Sequence, residues 1–143
     1  MSRVYGQPEL VWEIPEGATL RVELEPLVLK WAHVLPDWLD VVEIRRRDGE
    51  DFSAQAYTTV PYRLAVLTFT PEWLAAPGRE RELTVIHEML HVRLGAYGAW
   101  ARDLAKAALK PGGPLDLWAT QQFRNVEEGV ITELATMLLR STR

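Results

Sequence analysis

The chain has 143 residues, 48 % of them hydrophobic and 25 % charged, and its formal net charge is −4. This length and composition predict one globular domain over residues 1–143 and exclude an intrinsically disordered chain. The negative charge argues against non-specific binding to nucleic acid or to an anionic membrane. Cysteine is absent, so disulfides are excluded and any metal site must use nitrogen and oxygen ligands.

The N-terminal segment MSRVYGQPEL contains no apolar run, which argues against a signal peptide. No stretch of the chain reaches the roughly 18 apolar residues of a membrane span. Together with the lack of cysteine, these features predict a cytoplasmic protein. The basic run Arg45–Arg47 is followed directly by DGED, and we interpret it as a neutralised strand end rather than a functional basic patch.

One strand and one helix are predicted in the N-terminal quarter. Leu10–Ile14 reads as a short strand that is closed by Pro15. Pro26 is expected in the first turn of the following helix. Apolar residues then recur at helical spacing until Pro36 ends the run.

Three further strands are predicted, at Asp40–Arg47, Ser53–Val60 and Arg63–Thr70. Asp48-Gly49 is a hairpin-turn signal, so the second of these strands is expected to return beside the first. The third strand is apolar almost throughout, which is typical of a strand in the interior of a sheet.

Helices are predicted for the rest of the chain. The first covers about Arg79–Leu94, the second Ala99–Leu109 and the last Leu117–Leu139, and Lys110–Pro114, KPGGP, is the clearest break. The outline is an α+β domain with a small, mainly antiparallel sheet packed against helices.

Two of the three histidines, His87 and His91, stand four residues apart in the segment TVIHEMLHVRLGAY. Residues i and i+4 lie on one face of a helix, so both imidazoles can bind a single Zn²⁺. Glu88 is rotated by about 100° from His87, which suits a general base acting on water rather than a third ligand. The residues around these three are mostly apolar, so the helix should be buried and its polar groups need partners.

In this segment the chain resembles the zincin metallopeptidases, which carry the pattern H-E-x-x-H. The resemblance implies a minimal zincin-like metalloprotease domain that hydrolyses a peptide or protein substrate through a zinc-activated water, with Glu88 as general base. Arg93 departs from the stricter signature, which prefers an apolar residue there. The metzincin extension is absent, because Gly95 lies four residues after His91 and no histidine follows.

A catalytic zinc usually has three protein ligands. Cysteine is unavailable, and the remaining histidine, His33, lies on the first predicted helix. The third ligand should therefore be a downstream carboxylate, as in the glutamate zincins. Asp103 and Asp116 are weaker candidates, because both lie beside expected helix starts or loops.

The last helix, with the sequence FRNVEEGVITELATMLL, offers two adjacent glutamates. At about 100° per residue, Glu127 points to the middle of the apolar stripe and Glu128 to its edge. Some glutamate zincins place the ligand three residues before a small apolar residue, which fits Glu127 and Val130. Others place it directly before glycine, which fits Glu128 and Gly129. We predict Glu127 as the ligand, with Glu128 as the alternative.

Four side chains are candidates to stabilise an oxyanion: Tyr57, Tyr62, Arg93 and Tyr97. In zincins a strand at the edge of the sheet pairs with the peptide, and Ser53–Val60 is our candidate for that strand. Two alternatives stay open, a zinc hydrolase of a non-peptide substrate and a non-enzymatic binding or regulatory protein. Glu88 argues against the second, since a structural zinc site has no use for a base.

Overall fold

Residues 7–59 and 63–142 are described by a computed structural model. They form four strands, β1 Glu9–Trp12, β2 Val41–Arg46, β3 Ala54–Thr59 and β4 Leu64–Phe69. The four helices are α1 Thr19–Trp31, α2 Pro71–Ala75, α3 Gly78–Ala108 and α4 Pro114–Arg140. A sheet packed against helices confirms the predicted α+β class. None of the helices in the described part is long and apolar enough to cross a membrane.

The sheet is mixed, and the prediction of mainly antiparallel pairing was wrong. Its strand order is β1-β2-β4-β3, with β1 and β4 both parallel to β2 and only β3 antiparallel to its neighbour β4. The parallel pair β1–β2 arises because α1 carries the chain back across the sheet between them. As predicted, the apolar strand β4 lies inside the sheet, between β2 and β3.

The predicted hairpin between β2 and β3 does not form. Gly49 does adopt the left-handed turn conformation, with φ of 77°. However, the chain from Arg47 to Ser53 is too long for a two-residue hairpin, and it carries β3 past the position of β4 to the sheet edge. The chain then returns as β4, which pairs with β3 in register from Ala54↔Phe69 to Thr59↔Leu64. Val60, the last residue of the predicted strand, lies outside the described residues.

Helix α1 begins at Thr19, seven residues before Pro26, so the predicted start was wrong and Pro26 lies inside the helix. The earlier start is explained by burial, since Leu20, Leu24 and Val28 recur every four residues and are almost fully buried. This apolar face outweighs the one backbone hydrogen bond that proline removes.

Helix α3 runs without a break from Gly78 to Ala108, so the two helices predicted there are one. Glycine lowers helix propensity, but Gly95 and Gly98 serve close packing here. A Cβ on Gly95 would stand 3.2 Å from the side chain of Thr58, and one on Gly98 would stand 3.5 Å from Oε2 of Glu127. The predicted break at KPGGP is confirmed, because α3 ends before it and α4 begins at Pro114.

The core joins the sheet to α1, the first half of α3 and the end of α4. Beyond it, α3 and α4 extend as a helical hairpin: no residue from Ala99 to Val130, all of them described, is buried. Isolated helices gain little stability without packing, so we expect this part of the hairpin to open locally at low cost.

A half-buried carboxylate, that of Glu82, fastens α1 to α3. Oε2 of Glu82 accepts hydrogen bonds from Nζ of Lys30 at 2.7 Å and from Nε1 of Trp31 at 2.8 Å. Burial raises the pKa of Glu82, but the hydrogen bonds from Lys30 and Trp31 together lower it by more. The net pKa of Glu82 therefore lies below its ordinary value. The ionised form is therefore favoured in the folded protein.

We expect Glu82→Ala to reduce the free energy of unfolding at pH 7 by about 1–3 kcal/mol, because it leaves the Trp31 N–H without its charged acceptor. Since the folded pKa is depressed, the contribution of Glu82 is present above the unfolded pKa and is lost as pH falls through the folded pKa. Urea denaturation at pH 7 and pH 3 measures both effects. Glu80→Gln, an exposed position on the same helix, is the control, and equal losses in the two variants would contradict the assignment.

Candidate metal centre

The first half of α3 carries His87 and His91 on the face that turns toward α4. The apolar residues Val85, Ile86, Met89, Leu90 and Val92 fix this part of the helix in the core. The two imidazoles remain partly accessible, with 24 % and 23 % of their side-chain surface exposed. A histidine pair held by a buried helix but open on one side is what a catalytic metal needs.

The Nε2 atoms of His87 and His91 lie 3.2 Å apart. Two nitrogens bound to one tetrahedral zinc ion at 2.0–2.1 Å are separated by about 3.3 Å, so the spacing fits a shared ion. Burial lowers the pKa of His87, and the neighbouring His91 lowers it further, although Glu128 opposes both. His87 is therefore held toward the neutral form that binds metal.

Glu128 supplies the carboxylate that meets both imidazoles. Its Oε1 lies 2.8 Å from Nε2 of His91, and its Oε2 lies 3.4 Å from Nε2 of His87. Ligand atoms of these three residues all fall within 4.8 Å of one another. Two ring nitrogens and a carboxylate that converge in this way are a donor set that fits Zn²⁺.

Glu127, the ligand favoured from the sequence, lies on the other side of His91. Its Oε1 is 3.3 Å from Nδ1 of His91, and only 21 % of its side chain is exposed. Glu127 does face inward on α4, in line with the buried residues Ile131, Ala135 and Leu139. The apolar residues Val126, Val130 and Met137 of the same helix, whose spacing predicted a common buried face with Glu127, are exposed instead. The geometry therefore favours the alternative, Glu128, as the third ligand.

Glu88 is buried beside the pair, with 9 % of its surface exposed. Burial is the main cause that raises the pKa of Glu88 to about 7, and the charge of Glu128 adds to this shift. The shift is opposed by His91 and by the backbone N–H of Ala56, which donates a hydrogen bond to the carboxylate. A carboxyl group with a pKa near neutrality can both accept and release a proton at physiological pH. Helix geometry predicted that Glu88 is not a ligand, and the convergent cluster consists of His87, His91 and Glu128 without Glu88.

The edge strand β3 runs past these side chains. The carbonyl of Ser53 accepts a hydrogen bond from the N–H of Thr70, on the β4 side. In a β-strand the backbone N–H and C=O groups of successive residues point to opposite sides. The backbone groups of Ala54, Ala56 and Thr58 therefore point away from β4, to the free edge of the sheet. The segment Ser53–Val60, predicted as the edge strand beside the cleft, does contain an edge strand, β3, but the hydrogen bond from Ala56 to Glu88 was not predicted.

Three cavities open around the site. One of about 260 Å³ is lined by Ser53, Leu83, Thr84, His87 and Glu88. A second, of about 210 Å³, lies between Ala56–Thr58 and the α3 residues His91, Gly95 and Gly98. A third, of about 450 Å³, lies between α3 and α4 beside His91. The first two follow β3 on either side of the histidine pair, so an extended chain could lie along this strand.

The other candidate ligands lie outside the cluster. His33 stands in a 3-10 turn, where its ring stacks on Trp31 at 5.8 Å. Asp116 accepts a hydrogen bond from the N–H of Gly112 at 3.0 Å, at the start of α4. Asp103 is exposed on the projecting part of α3.

The candidate oxyanion donors are also separated by the structure. Arg93 donates a hydrogen bond to the carbonyl of Val34 at 3.1 Å, which ties α3 to the 3-10 turn. Tyr57 lines the 210 Å³ cavity with His91, and Tyr97 is 70 % exposed and does not line it. Tyr62 lies outside the described residues. Tyr57 is 66 % exposed, and because side chains alternate along a strand it points away from α3, which Thr58 contacts at Gly95. The oxyanion donor is therefore not assigned.

The basic run at the end of β2 is neutralised, as the sequence predicted. Arg45 pairs with Glu13 at 2.8 Å and with Glu43, and Arg46 pairs with Asp48 at 2.9 Å. Arg47 lies 3.8 Å from Glu50.

No protein-family model, curated protein or solved structure matches this chain.

Proposed function

We propose that this protein is a zinc-dependent metallopeptidase that hydrolyses peptide bonds in a peptide or protein substrate. The observation that carries the proposal is the convergence of His87, His91 and Glu128 beside a buried Glu88. It is supported by the pattern H-E-x-x-H, which resembles the zincin peptidases.

In this proposal His87, His91 and Glu128 hold the zinc ion. Zinc bound there would polarise the scissile carbonyl and lower the pKa of a coordinated water toward about 7. The Glu88 carboxylate accepts the proton of the attacking water and passes it to the leaving amine.

The edge of β3 favours a peptide over other substrates. Backbone groups at Ala54 and Thr58 face outward, and a peptide can add to them as a further strand. The cavities along β3 on both sides of the histidine pair leave room for its side chains. We assign this activity to the cytoplasm, where proteins without disulfides are typical.

The proposal is tested by metal analysis and by digestion of a complex peptide mixture followed by mass spectrometry. We expect one zinc ion per chain, and cleavages that disappear with a chelator and return on addition of zinc. Absence of bound zinc would overturn the proposal. Bound zinc without any cleavage would favour the non-enzymatic binding or regulatory protein.

Glu127 acts in this proposal as a positioning residue. By accepting a hydrogen bond from Nδ1–H of His91, it would fix the ring and leave Nε2 for the metal. Such carboxylate partners are usual for metal-binding histidines, and their loss costs about 10- to 100-fold in metal affinity.

We therefore expect Glu128→Ala to weaken zinc affinity more than Glu127→Ala, which should weaken it about tenfold to a hundredfold. Glu127→Gln should restore part of the loss, because the amide oxygen still accepts a hydrogen bond. Calorimetric titration measures the affinities. Nitrogen-15 NMR of the metal-free protein measures the His91 tautomer, which Glu127→Ala should shift away from Nδ1–H and Glu128→Ala should shift toward it. Glu133→Ala, on the exposed face of α4, is the control, and a larger loss from Glu127→Ala than from Glu128→Ala would restore Glu127 as the ligand.

A further inference from the structure

Two arginines that line a cavity with His91 have no ionic partner among the described residues. Arg102 on α3 and Arg124 on α4 line the 450 Å³ cavity together with His91. Within the described ranges, neither forms an ion pair or a side-chain hydrogen bond. Most described arginines do form such contacts, namely Arg21, Arg45, Arg46, Arg47, Arg63, Arg81 and Arg93.

The guanidinium group of Arg102 folds back toward the site. Its Nη1 lies 3.6 Å from the point where a Cβ on Gly98 would stand. Gly98 follows His91 by seven residues, about 10 Å along the helix axis. Arg102 also lines the 210 Å³ cavity that β3 bounds, so its side chain borders both cavities on this side of the histidine pair.

We propose that Arg102 and Arg124 bind a carboxylate of the peptide substrate, about two to four residues from the bond that is cleaved. This proposal rests on the peptidase function and names its substrate class. An extended peptide advances about 3.3 Å per residue, so a group three residues from the site reaches Arg102. The carboxylates that share the cavity, Glu127 and Glu128, both lie against His91.

Several features of the cavity suit an anionic ligand. Arginine presents a planar set of N–H donors that matches a carboxylate. Thr120 adds a hydroxyl group and Phe123 an apolar wall. The carboxylate can belong to an aspartate or glutamate side chain or to the C-terminus of the substrate, since the recognition chemistry is the same.

Peptide binding to the zinc-loaded Glu88→Gln protein tests the proposal without hydrolysis. The probes are fluorescein-labelled alanine-based octapeptides that carry Glu or Gln at successive positions, each with a free or amidated C-terminus. In fluorescence anisotropy we expect a carboxylate to tighten binding about fivefold to tenfold. Arg102→Gln and Arg124→Gln should remove this difference. Arg140→Gln should keep it, since Arg140 also lies on α4 and forms no ion pair with the described residues but does not line this cavity.

Selectivity for Glu over Gln identifies a side-chain carboxylate, and selectivity for the free acid over the amide identifies the C-terminus. Equal affinity for all probes, no binding of any probe, or equal loss for charged and neutral probes in Arg102→Gln would overturn the proposal. Equal hydrolysis of charged and neutral peptides by the parent protein would overturn it while leaving the peptidase function intact. Charge-selective binding without hydrolysis by the parent would support the carboxylate site and overturn the peptidase function.

Discussion

Glu88→Gln is expected to reduce peptide hydrolysis by about 10²- to 10⁴-fold while zinc stays bound, which is the range for removal of a general base. Glutamine has the size and polarity of glutamate, and its carbonyl oxygen can still accept the N–H of Ala56 that hydrogen-bonds Glu88. It cannot accept the proton of the attacking water. The measurement is kcat for a peptide found in the digestion experiment, together with the zinc content of the variant.

The Glu88→Gln substitution is not expected to destabilise the fold. Burial raises the pKa of Glu88 to about 7, above its value in the unfolded chain, so ionisation of Glu88 costs the folded protein stability as pH rises, and the full cost is present above pH 7. Glutamine cannot ionise, and we expect the metal-free variant to be at least as stable as the parent above pH 7. Glu80→Gln, on the exposed side of α3, controls for removal of a helix carboxylate. Turnover at the parental rate by the zinc-loaded Glu88→Gln protein would refute the mechanism.

His87→Ala is expected to abolish tight zinc binding and, with it, the stabilisation that zinc provides. A ligand that binds only the folded state stabilises it by about 4.1 kcal/mol when its free concentration is 1,000 times Kd. Calorimetric titration and thermal unfolding with and without zinc measure both effects. His33→Ala is the matched control, because His33 stacks on Trp31 outside the cluster. Parental affinity in His87→Ala would remove the basis for the metal site.

The same experiment has a local readout in the helical hairpin. Glu128 lies on α4, whereas His87 and His91 lie on α3, so a metal bound by all three would tie the two helices together. None of residues 99–130, which form the projecting part of the hairpin, is buried. Zinc should therefore increase the protection of amide hydrogens there in the parent protein. His87→Ala should lose this protection together with the zinc affinity.

Several features of this protein follow from short patterns in its sequence. The spacing of His87 and His91 on an apolar helix, and the separation of Glu88 from them by about 100°, depend only on helix geometry. The break at KPGGP and the interior position of β4 were likewise predicted, because proline, glycine and continuous apolar runs act through the backbone and through burial nearby.

Tertiary structure decided the features that depend on distant packing. Strand order was one, since a hairpin signal at Asp48-Gly49 specifies a turn but not which strands pair after it. Which of Glu127 and Glu128 lies against both histidines was another. Adjacent helical residues point about 100° apart, and the rotation of α4 against α3 decides which carboxylate meets which nitrogen of His91. That rotation is set by contacts such as Gly98 against Glu127 and Phe123, which join residues far apart in the chain and leave no local pattern in the sequence.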